Sequence, residues 1–224
     1  IYMEKKKMVK KVLKIVLIII AILLVILAIH TIRNYVIVKD LQTKISQYNN
    51  STNYYTKSIA TEENGTAVTM EYYKKENKAV VFLERNLNGE TTKVLMYNNG
   101  KRTDTFTETK DSKIADLNSG MLMSINIYNH LETYNDWQTF LGCMSSKIKS
   151  ADCKGKKCYV IKDFMSSTSL TFEGSETYID KETGLMVRTI EDGVTYDREY
   201  EFDKVEDSVF VEPDISQYTL KEKE

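Results

Sequence analysis

The segment YIDKETGLMVR, Tyr178 to Arg188, places four charged residues around a single glycine. Charges this dense occur in binding sites, and they also occur at the solvent-exposed corner of a hairpin. The apolar residues favour a corner, because Ile179 precedes the charges and Leu185 follows them in strand-like sequence. We interpret Asp180 to Gly184 as the turn, in which Gly184 supplies a backbone conformation with positive φ.

The strand that follows this corner indicates which side of the sheet faces the interior. In Val194 to Val205 the even positions carry mostly large side chains, whereas the odd positions include four acidic residues. Such alternation is typical of an antiparallel strand with one buried and one solvated face. Four inward-facing residues of this strand are therefore candidate ligand-binding residues: Tyr196, Arg198, Tyr200 and Phe202.

Arg198 interrupts this inward-facing set, because a guanidinium must either reach the rim of the interior or find a partner there. One interpretation is an arginine that extends to the rim or stacks on a tyrosine. The other is an arginine in a cavity wall that orients the polar head of a ligand. The sequence leaves both open.

Upstream, the chain from Tyr54 to Phe106 consists of short segments rich in valine, threonine, tyrosine and phenylalanine. They are separated by Asn64-Gly65, Asn88-Gly89 and Asn99-Gly100. Asn-Gly between strand-like segments is a strong hairpin signal, because both turn residues must accept positive φ. This part of the chain predicts an antiparallel meander.

Between Asp116 and Phe140 the pattern changes to apolar residues at steps of three. This spacing predicts one amphipathic helix. Its apolar face comprises Leu122, Ile125, Tyr128, Leu131, Tyr134 and Trp137. Of these, Ile125, Tyr128 and Leu131 are further candidate ligand-binding residues. Strands then resume to about Val205. In the carboxy-terminal tail, we expect the apolar side chains of Phe210, Ile215 and Tyr218 to pack on the folded domain.

An apolar run near the amino terminus predicts a membrane-spanning helix. The unbroken run Ile15 to Ile29 follows six lysines, and extending it to Val12 and Ile32 gives a helix of about 31 Å. That length matches the ~30 Å hydrocarbon core of a bilayer. A cleaved signal peptide is the alternative, although the exit Leu27 to Thr31 lacks its small-x-small site. A buried soluble helix is the third, and it would have to bury Lys14.

We therefore expect a cytoplasmic basic tail at 1–11, a transmembrane helix at 12–32, a juxtamembrane helix or linker at 33–52 and an extracytoplasmic domain at 53–224. The lysines before the span place the amino terminus in the cytoplasm. Subtracting the eight basic and two acidic residues of positions 1–40 from the totals of 31 and 32 leaves 23 and 30. A domain with a net charge near −7 is a poor binder of nucleic acid.

The residue types needed for common catalytic and metal sites are scarce. His30 and His130 are too few for a hydrolytic triad or an imidazole-based zinc site, and the cysteines lack a fourth ligand nearby. We expect no catalytic residue, no metal and no cofactor.

Cys153 and Cys158 flank a glycine-bearing turn and would face each other across a hairpin. We predict a structural disulfide between them, with three free thiols or a bond to Cys143 as alternatives.

Taken together, the chain resembles the bacterial outer-membrane lipoprotein carrier and sorting superfamily, the LolA-like proteins. Tyr178 to Leu185 is similar to that family's strand, Asp-x-x-x-Gly turn and return strand. Phe210 and Pro213 resemble its closing Phe-x-x-Pro. The likeness covers about residues 41–221.

The resemblance implies an α+β fold: a curved antiparallel half-barrel with helices across its open face, here behind a transmembrane helix. It further implies a hydrophobic interior for acyl chains. Two features depart from true carriers: this chain has a predicted anchor, and it has no match to their arginine- and proline-bearing strand around Lys74 to Arg85.

The function expected from the sequence is a non-catalytic, extracytoplasmic module at the cell membrane that binds a lipid-like or apolar ligand, such as a lipid or lipoprotein acyl chain. The alternative is an envelope sensor or interaction module that recognises a protein partner.

Overall fold

The computed structural model describes residues 2–62, 65–87, 89–119, 134–162, 164 and 175–221, with side chains from residue 10 onward. This part of the chain contains two α-helices, α1 (Tyr2–Ser46) and α2 (Asp136–Ser145). The strands are β1 (Asn53–Thr61), β2 (Ala67–Lys75), β3 (Lys78–Leu87), β4 (Glu90–Asn98), β5 (Thr103–Glu108), β6 (Lys113–Asp116), β7 (Lys147–Cys153), β8 (Lys156–Lys162), β9 (Glu176–Asp180), β10 (Met186–Glu191), β11 (Val194–Phe202) and β12 (Thr219–Leu220). Two short 3₁₀ helices, Asp207–Phe210 and Ile215–Gln217, precede β12.

All the described strands belong to one sheet, in the order β12-β6-β5-β4-β3-β2-β1-β11-β10-β9-β8-β7. Neighbouring strands are antiparallel except β12, which pairs in parallel with β6. Because β12 and β7 are the two edges of this order, the sheet stays open rather than closing into a barrel. The predicted α+β fold with an open antiparallel half-barrel is confirmed.

The predicted meander is found in β1 to β5. Gly65, Gly89 and Gly100 lie between consecutive strands, and each has a positive φ. The alternation of burial predicted for the last long strand is found from Arg198 to Phe202, whereas Val194 to Asp197 are half-buried on both faces; β11 ends at Phe202 rather than near Val205.

The first helix is continuous from the apolar run into the folded domain. Its apolar segment is long enough to cross a membrane and is unburied within the protein. Farther along, one stripe of α1 is buried: Thr31, Asn34, Val38, Leu41 and Ile45. The three- and four-residue spacing of this stripe keeps it on one side of the helix. This side packs on Ile148, Ile161 and Ile179 of β7, β8 and β9. We call this side of the sheet the inner face.

The opposite side of the sheet, the outer face, carries a second core made with the carboxy-terminal tail. Val80, Tyr97 and Phe106 are buried there against Phe210, and Tyr218 packs on the ring of Phe106 at 5.1 Å. Tyr97 donates a hydrogen bond to the carbonyl oxygen of Phe210 over 3.2 Å. The apolar contacts predicted for the tail are therefore present.

The prediction of one helix from Asp116 to Phe140 was wrong at both ends. Asp116 is the last residue of β6, and α2 begins at Asp136. The reason is local chemistry: Asn135 and Gln138 form a capping box, which starts a helix at this point. Trp137, predicted on the apolar face, is 65% exposed. The candidates Ile125, Tyr128 and Leu131 lie outside the described residues.

Candidate functional site

A row of side chains crosses the inner face at the level of Arg198. Arg198 of β11 lies opposite Ser58 of β1, which lies opposite Met70 of β2. Met70 lies opposite Leu83 of β3, which lies opposite Val94 of β4. Side chains directly opposite each other share one face of a sheet, so these residues form one lateral row. All of them are half-buried. At ~4.8 Å between strands, the row is about 19 Å long.

The neighbouring row on the same face, two residues along each strand, is more buried. It runs from Tyr200 through Thr56 and Tyr72 to Val81 and Met96, in the same strand order. Thr56, Tyr72 and Val81 are buried. Tyr200 donates a hydrogen bond to the carbonyl oxygen of Met186 over 3.0 Å. Burial raises the pKa of the Tyr200 hydroxyl, and the nearby Arg198 opposes this rise.

The third row, on the opposite side of the Arg198 row, starts at Tyr196 and continues through Ala60 and Val68 to Arg85. Tyr196, Ala60 and Val68 are half-buried, and Arg85 is exposed. At the other end of β11, Phe202 stacks on Tyr48 with ring centroids 4.3 Å apart, just beyond the end of α1. The four β11 candidates thus share the inner face.

Arg198 differs from the arginine on the adjacent strand. Arg188 lies on the outer face and donates two hydrogen bonds to Asp197, at 2.7 and 3.1 Å. Arg198 makes a weak contact from Nη1 to the sulfur of Met186 at 3.8 Å and lies beside the Tyr200 hydroxyl, and it makes no ion pair with another described residue. A guanidinium stays charged at any physiological pH. The inner face therefore presents a half-buried positive charge at Arg198, beside apolar side chains.

This arrangement can bind a molecule that has an anionic head and an apolar chain. The guanidinium offers a planar set of donors that matches carboxylate or phosphate oxygens. Met70, Leu83 and Val94 offer apolar surface in line with it. Sequence reasoning did not single out these three residues, because β3 and β4 carry consecutive apolar residues at 80–83 and 94–97 and so give no alternation that marks one face.

A groove of about 440 Å³ lies on the outer face, between the sheet and the tail. Its apolar lining includes Phe82, Leu95, Phe106 and Tyr218. Tyr218 donates a hydrogen bond of 2.6 Å to Glu108 at the groove wall. That hydrogen bond lowers the pKa of Glu108.

The other carboxylates of the groove are also paired. Glu71 lies 3.1 Å from Lys57 and accepts a hydrogen bond from Tyr73, and Glu84 lies 3.8 Å from Lys93. Burial raises the pKa of Glu71, but the hydrogen bonds from Lys57 and Tyr73 outweigh it and the pKa is lowered. Each of these carboxylates is paired with a side chain of this protein. We therefore regard the groove as the place where the carboxy-terminal tail packs on the sheet.

The charged corner at Asp180 to Gly184 is a structural element. Asp180 is buried, and it accepts hydrogen bonds from the Glu182 amide and the Thr183 hydroxyl. Gly184 has φ +75°. Lys44 of α1 donates a hydrogen bond of 2.7 Å to the carbonyl oxygen of Lys181. The corner therefore packs against the end of α1.

The three cysteines are buried thiols in this structure. The register places Cys158 opposite Ala151 and Cys153 opposite Lys156, so the two cysteines are diagonal neighbours rather than direct partners. Burial raises the pKa of Cys143 to about 12. Burial, with a contribution from Cys153, raises that of Cys158 to about 11. The predicted disulfide remains a prediction.

The two helices meet through a small polar cluster. Asn34 of α1 is fully buried and donates hydrogen bonds to the carbonyl oxygens of Cys143 and Ser146, at 3.2 and 2.9 Å. His30 Nε2 lies 3.0 Å from the same Ser146 oxygen. This is a local structural contact for the histidine. Among the described residues, no group of three or more histidine, cysteine or acidic side chains is placed to hold a metal ion.

No protein-family model matches the chain, and a search of curated proteins finds no significant match. Solved structures do resemble it. An uncharacterized conserved protein from Thermus thermophilus is 10% identical, with a TM-score of 0.42, over 82% of this chain and 98% of that one.

MucB, in a structure in complex with MucA(peri), is 13% identical with a TM-score of 0.34; the match covers 76% of this chain and 58% of MucB. A putative outer membrane lipoprotein-sorting protein domain from Vibrio parahaemolyticus is 7% identical with a TM-score of 0.26, over 80% of this chain and 97% of that domain. A lipoprotein-sorting domain, the class of protein that the sequence resembles, is thus among the solved structures that the search finds.

Proposed function

We propose that this protein is a membrane-anchored, extracytoplasmic module that binds an amphiphile with an apolar chain and an anionic head, and that it catalyses no reaction on it. The observation that carries the proposal is the inner-face row, in which Arg198 is followed across the sheet by Met70, Leu83 and Val94. An anionic lipid has this chemistry, and the acyl chain of a lipoprotein would supply its apolar part.

The apolar chain would lie along the row, across β2, β3 and β4. Each of the three apolar side chains is half-buried, so a bound chain can remove further surface from water at ~25 cal/mol per Å². The buried side chains of Tyr72 and Val81, in the neighbouring row, would pack against one side of the apolar chain.

The head group would lie at Arg198, within reach of the Tyr196 ring. A hydrogen bond to a charged group contributes about 1.5–3 kcal/mol, which is enough to orient the ligand with its head at β11. Ser58, directly opposite, offers a hydroxyl to the same head group.

Membrane anchoring by α1 is part of this proposal. The apolar segment of α1 is exposed on all sides, as a helix in lipid would be, and lysines precede it. The amino terminus would then be cytoplasmic and the sheet extracytoplasmic. Such a domain would take its ligand from the outer surface of the same membrane.

The test uses the full chain in lipid nanodiscs with a photoactivatable fatty acid. After irradiation and digestion, we expect labelled peptides from β2, β3 and β4, at or beside Met70, Leu83 and Val94. Arg198→Gln should weaken labelling of these peptides roughly ten-fold, as expected for one lost charge-assisted hydrogen bond. Met70→Asp should abolish it by placing a charge in the chain's path.

Lys93→Gln is the matched control, since it removes one positive charge from the outer face of the same sheet. Its labelling should equal that of the unmodified protein. Labelling confined to α1, or unchanged in Arg198→Gln, would contradict the proposal.

A sensor that recognises a protein partner is a second candidate, favoured by the continuity of α1. One helix joins the apolar segment to the core of the domain, so a change on the inner face has a rigid connection to the membrane. Crosslinking in the native envelope separates the two candidates. A single stoichiometric protein partner, together with no lipid labelling, would favour the sensor.

A further inference from the structure

Helix α2 exposes an apolar face that no described part of the chain covers. Trp137 is 65% exposed, Phe140 39% and Met144 38%. Their three- and four-residue spacing places them on one side of the helix. The rings of Trp137 and Phe140 stack with centroids 5.9 Å apart. On the opposite side, Thr139 and Cys143 are buried. The exposed set is called the α2 face below.

The height of α2 along α1 is fixed by contacts at both of its ends. At its start, Asp136 pairs with Lys39 of α1 over 2.9 Å. At its end, the carbonyl oxygen of Ser146 accepts a hydrogen bond from Asn34. The two helices therefore run antiparallel, with the end of α2 nearest the apolar segment of α1.

These contacts place α2 at the level where α1 leaves its apolar segment. That segment ends at Ile32, two residues before Asn34. Lys39 lies seven residues beyond Ile32, or about 10 Å at 1.5 Å per residue. The headgroup region on each side of a bilayer is about 5–7 Å thick, by the difference between total and hydrocarbon thickness. The Met144 end of the α2 face thus lies within the height of that region, and the Trp137 end lies at its outer boundary.

The α2 face is also continuous with the exposed apolar surface of α1. Ile29, Ile32 and Val36 on α1 are exposed, and the last of these lies beyond the predicted span. Tyr35, beside them, contacts the edge of the Phe140 ring with centroids 6.5 Å apart. One apolar surface therefore runs from the helix that would lie in the bilayer onto α2.

We propose that the α2 face lies in the headgroup region of the outer leaflet, as a second contact between this chain and the bilayer. The inference rests on the proposed anchoring by α1. Tryptophan favours this region, because its ring system is largely apolar and its N–H group can donate a hydrogen bond to water or head groups. Since α2 runs antiparallel to α1, it would approach this region with its Met144 end first.

The bilayer fits this face better than a second copy of the chain or a protein partner. α1 contains no break between its apolar segment and its contact with α2, so α2 stays at the same height along the axis of α1. Arg33 is exposed at the same level, where phosphate groups would lie.

The experiment uses Trp137 as the probe, because it is the only tryptophan in the sequence. The full chain is reconstituted in vesicles of phosphatidylcholine and phosphatidylglycerol, and flotation on a density gradient establishes its association with lipid. Its emission is then measured in vesicles whose acyl chains are brominated near the glycerol or near the methyl end, and with aqueous iodide.

We expect a loss of Trp137 emission with bromine near the glycerol, a smaller loss with bromine near the methyl end, and weak quenching by iodide. Phe140→Asp should shift the emission to longer wavelength and raise quenching by iodide. Val211→Asp is the matched control, since Val211 is 71% exposed on the carboxy-terminal tail. It should leave all quenching unchanged.

The outcomes separate this inference from the anchoring on which it rests. A chain that does not float with vesicles overturns the anchor and, with it, the α2 contact. A chain that floats but is quenched by iodide and not by bromine overturns the α2 contact alone. Protection from both quenchers, in a chain that floats, would assign the α2 face to another protein surface and would also overturn the inference.

Discussion

Gly184 contacts the backbone of Leu41 so closely that a Cβ atom added to the glycine would lie 2.7 Å from the Leu41 carbonyl oxygen. It would also lie 3.0 Å from the amide nitrogen of Ile45. Gly184 thus meets two requirements of the corner between β9 and β10. Its φ of +75° turns the chain, and its missing side chain lets the backbone of α1 pack against the corner. Both requirements select glycine at this position.

Gly184→Ala should therefore lower the free energy of unfolding by more than the ~1–3 kcal/mol of a positive φ alone, because α1 must also move. Gly155→Ala is the matched control: its φ is +77°, and an added Cβ would meet nothing within 4 Å. Chemical unfolding of both variants in detergent measures the difference. Equal losses would show that the contact with Leu41 has no energetic weight.

Asn34→Leu should destabilise the contact between the two helices. The change removes the donor to the carbonyl oxygens of Cys143 and Ser146 in a buried site, at a cost of about 1–3 kcal/mol. Thr43→Leu, on the exposed side of α1, should change stability by less than ~0.5 kcal/mol. Unfolding curves for the two variants test this. Similar stabilities would show that Asn34 does not hold α2.

The thiol of Cys143 should resist alkylation in the folded protein. Burial raises its pKa to about 12, so almost none is present as the reactive thiolate at pH 8. Mass spectrometry after iodoacetamide treatment should show no adduct at Cys143 until the protein is unfolded. Rapid modification of the folded protein would mean that Cys143 is accessible.

The same measurement tests the predicted disulfide. If Cys153 and Cys158 are bonded, the unfolded protein takes up one label without reductant and three with it. Three labels without reductant would show the free thiols of the structure.

Acid should weaken the fold in part through Asp197. Hydrogen bonds from Arg188 lower the pKa of Asp197 and outweigh the effect of burial. A lowered folded-state pKa stabilises the fold fully above the unfolded value of ~3.9, and the stabilisation is lost as pH falls through the folded value. Asp197→Asn should therefore flatten the acid dependence of unfolding below about pH 4. The exposed control Asp111→Asn should retain the original slope.

Local patterns predicted much of this fold. The alternation in Val194–Phe202 gave the correct inner face for Tyr196 and Phe202, because one-sided burial leaves a period of two in the sequence. The glycine turns predicted the meander, since positive φ restricts the residue type. The apolar contacts of the carboxy-terminal tail were predicted because Phe210, Ile215 and Tyr218 are large side chains in a polar segment, although Val211 in the same segment is exposed.

The start of α2 was missed because apolar steps of three continued past the true boundary. The Asn135 and Gln138 capping box was the available signal, and it was outweighed by Tyr134 and Trp137. The partners of Arg198 could not be predicted, because Met70, Leu83 and Val94 reach one row only through the pairing of five strands. Register across several strands depends on long-range contacts that no local window contains.

Helix α1 is unbroken from its apolar segment to the residues that contact Gly184. A rotation of the helix is therefore passed on to the sheet. In the proposed membrane arrangement, a rotation of the helix about its own axis would turn the inner face through the same angle. The direction in which the inner face opens, parallel to the membrane surface, would therefore depend on how the side chains between Val12 and Ile32 orient α1 in the bilayer. One residue inserted there would turn the whole domain by about 100°.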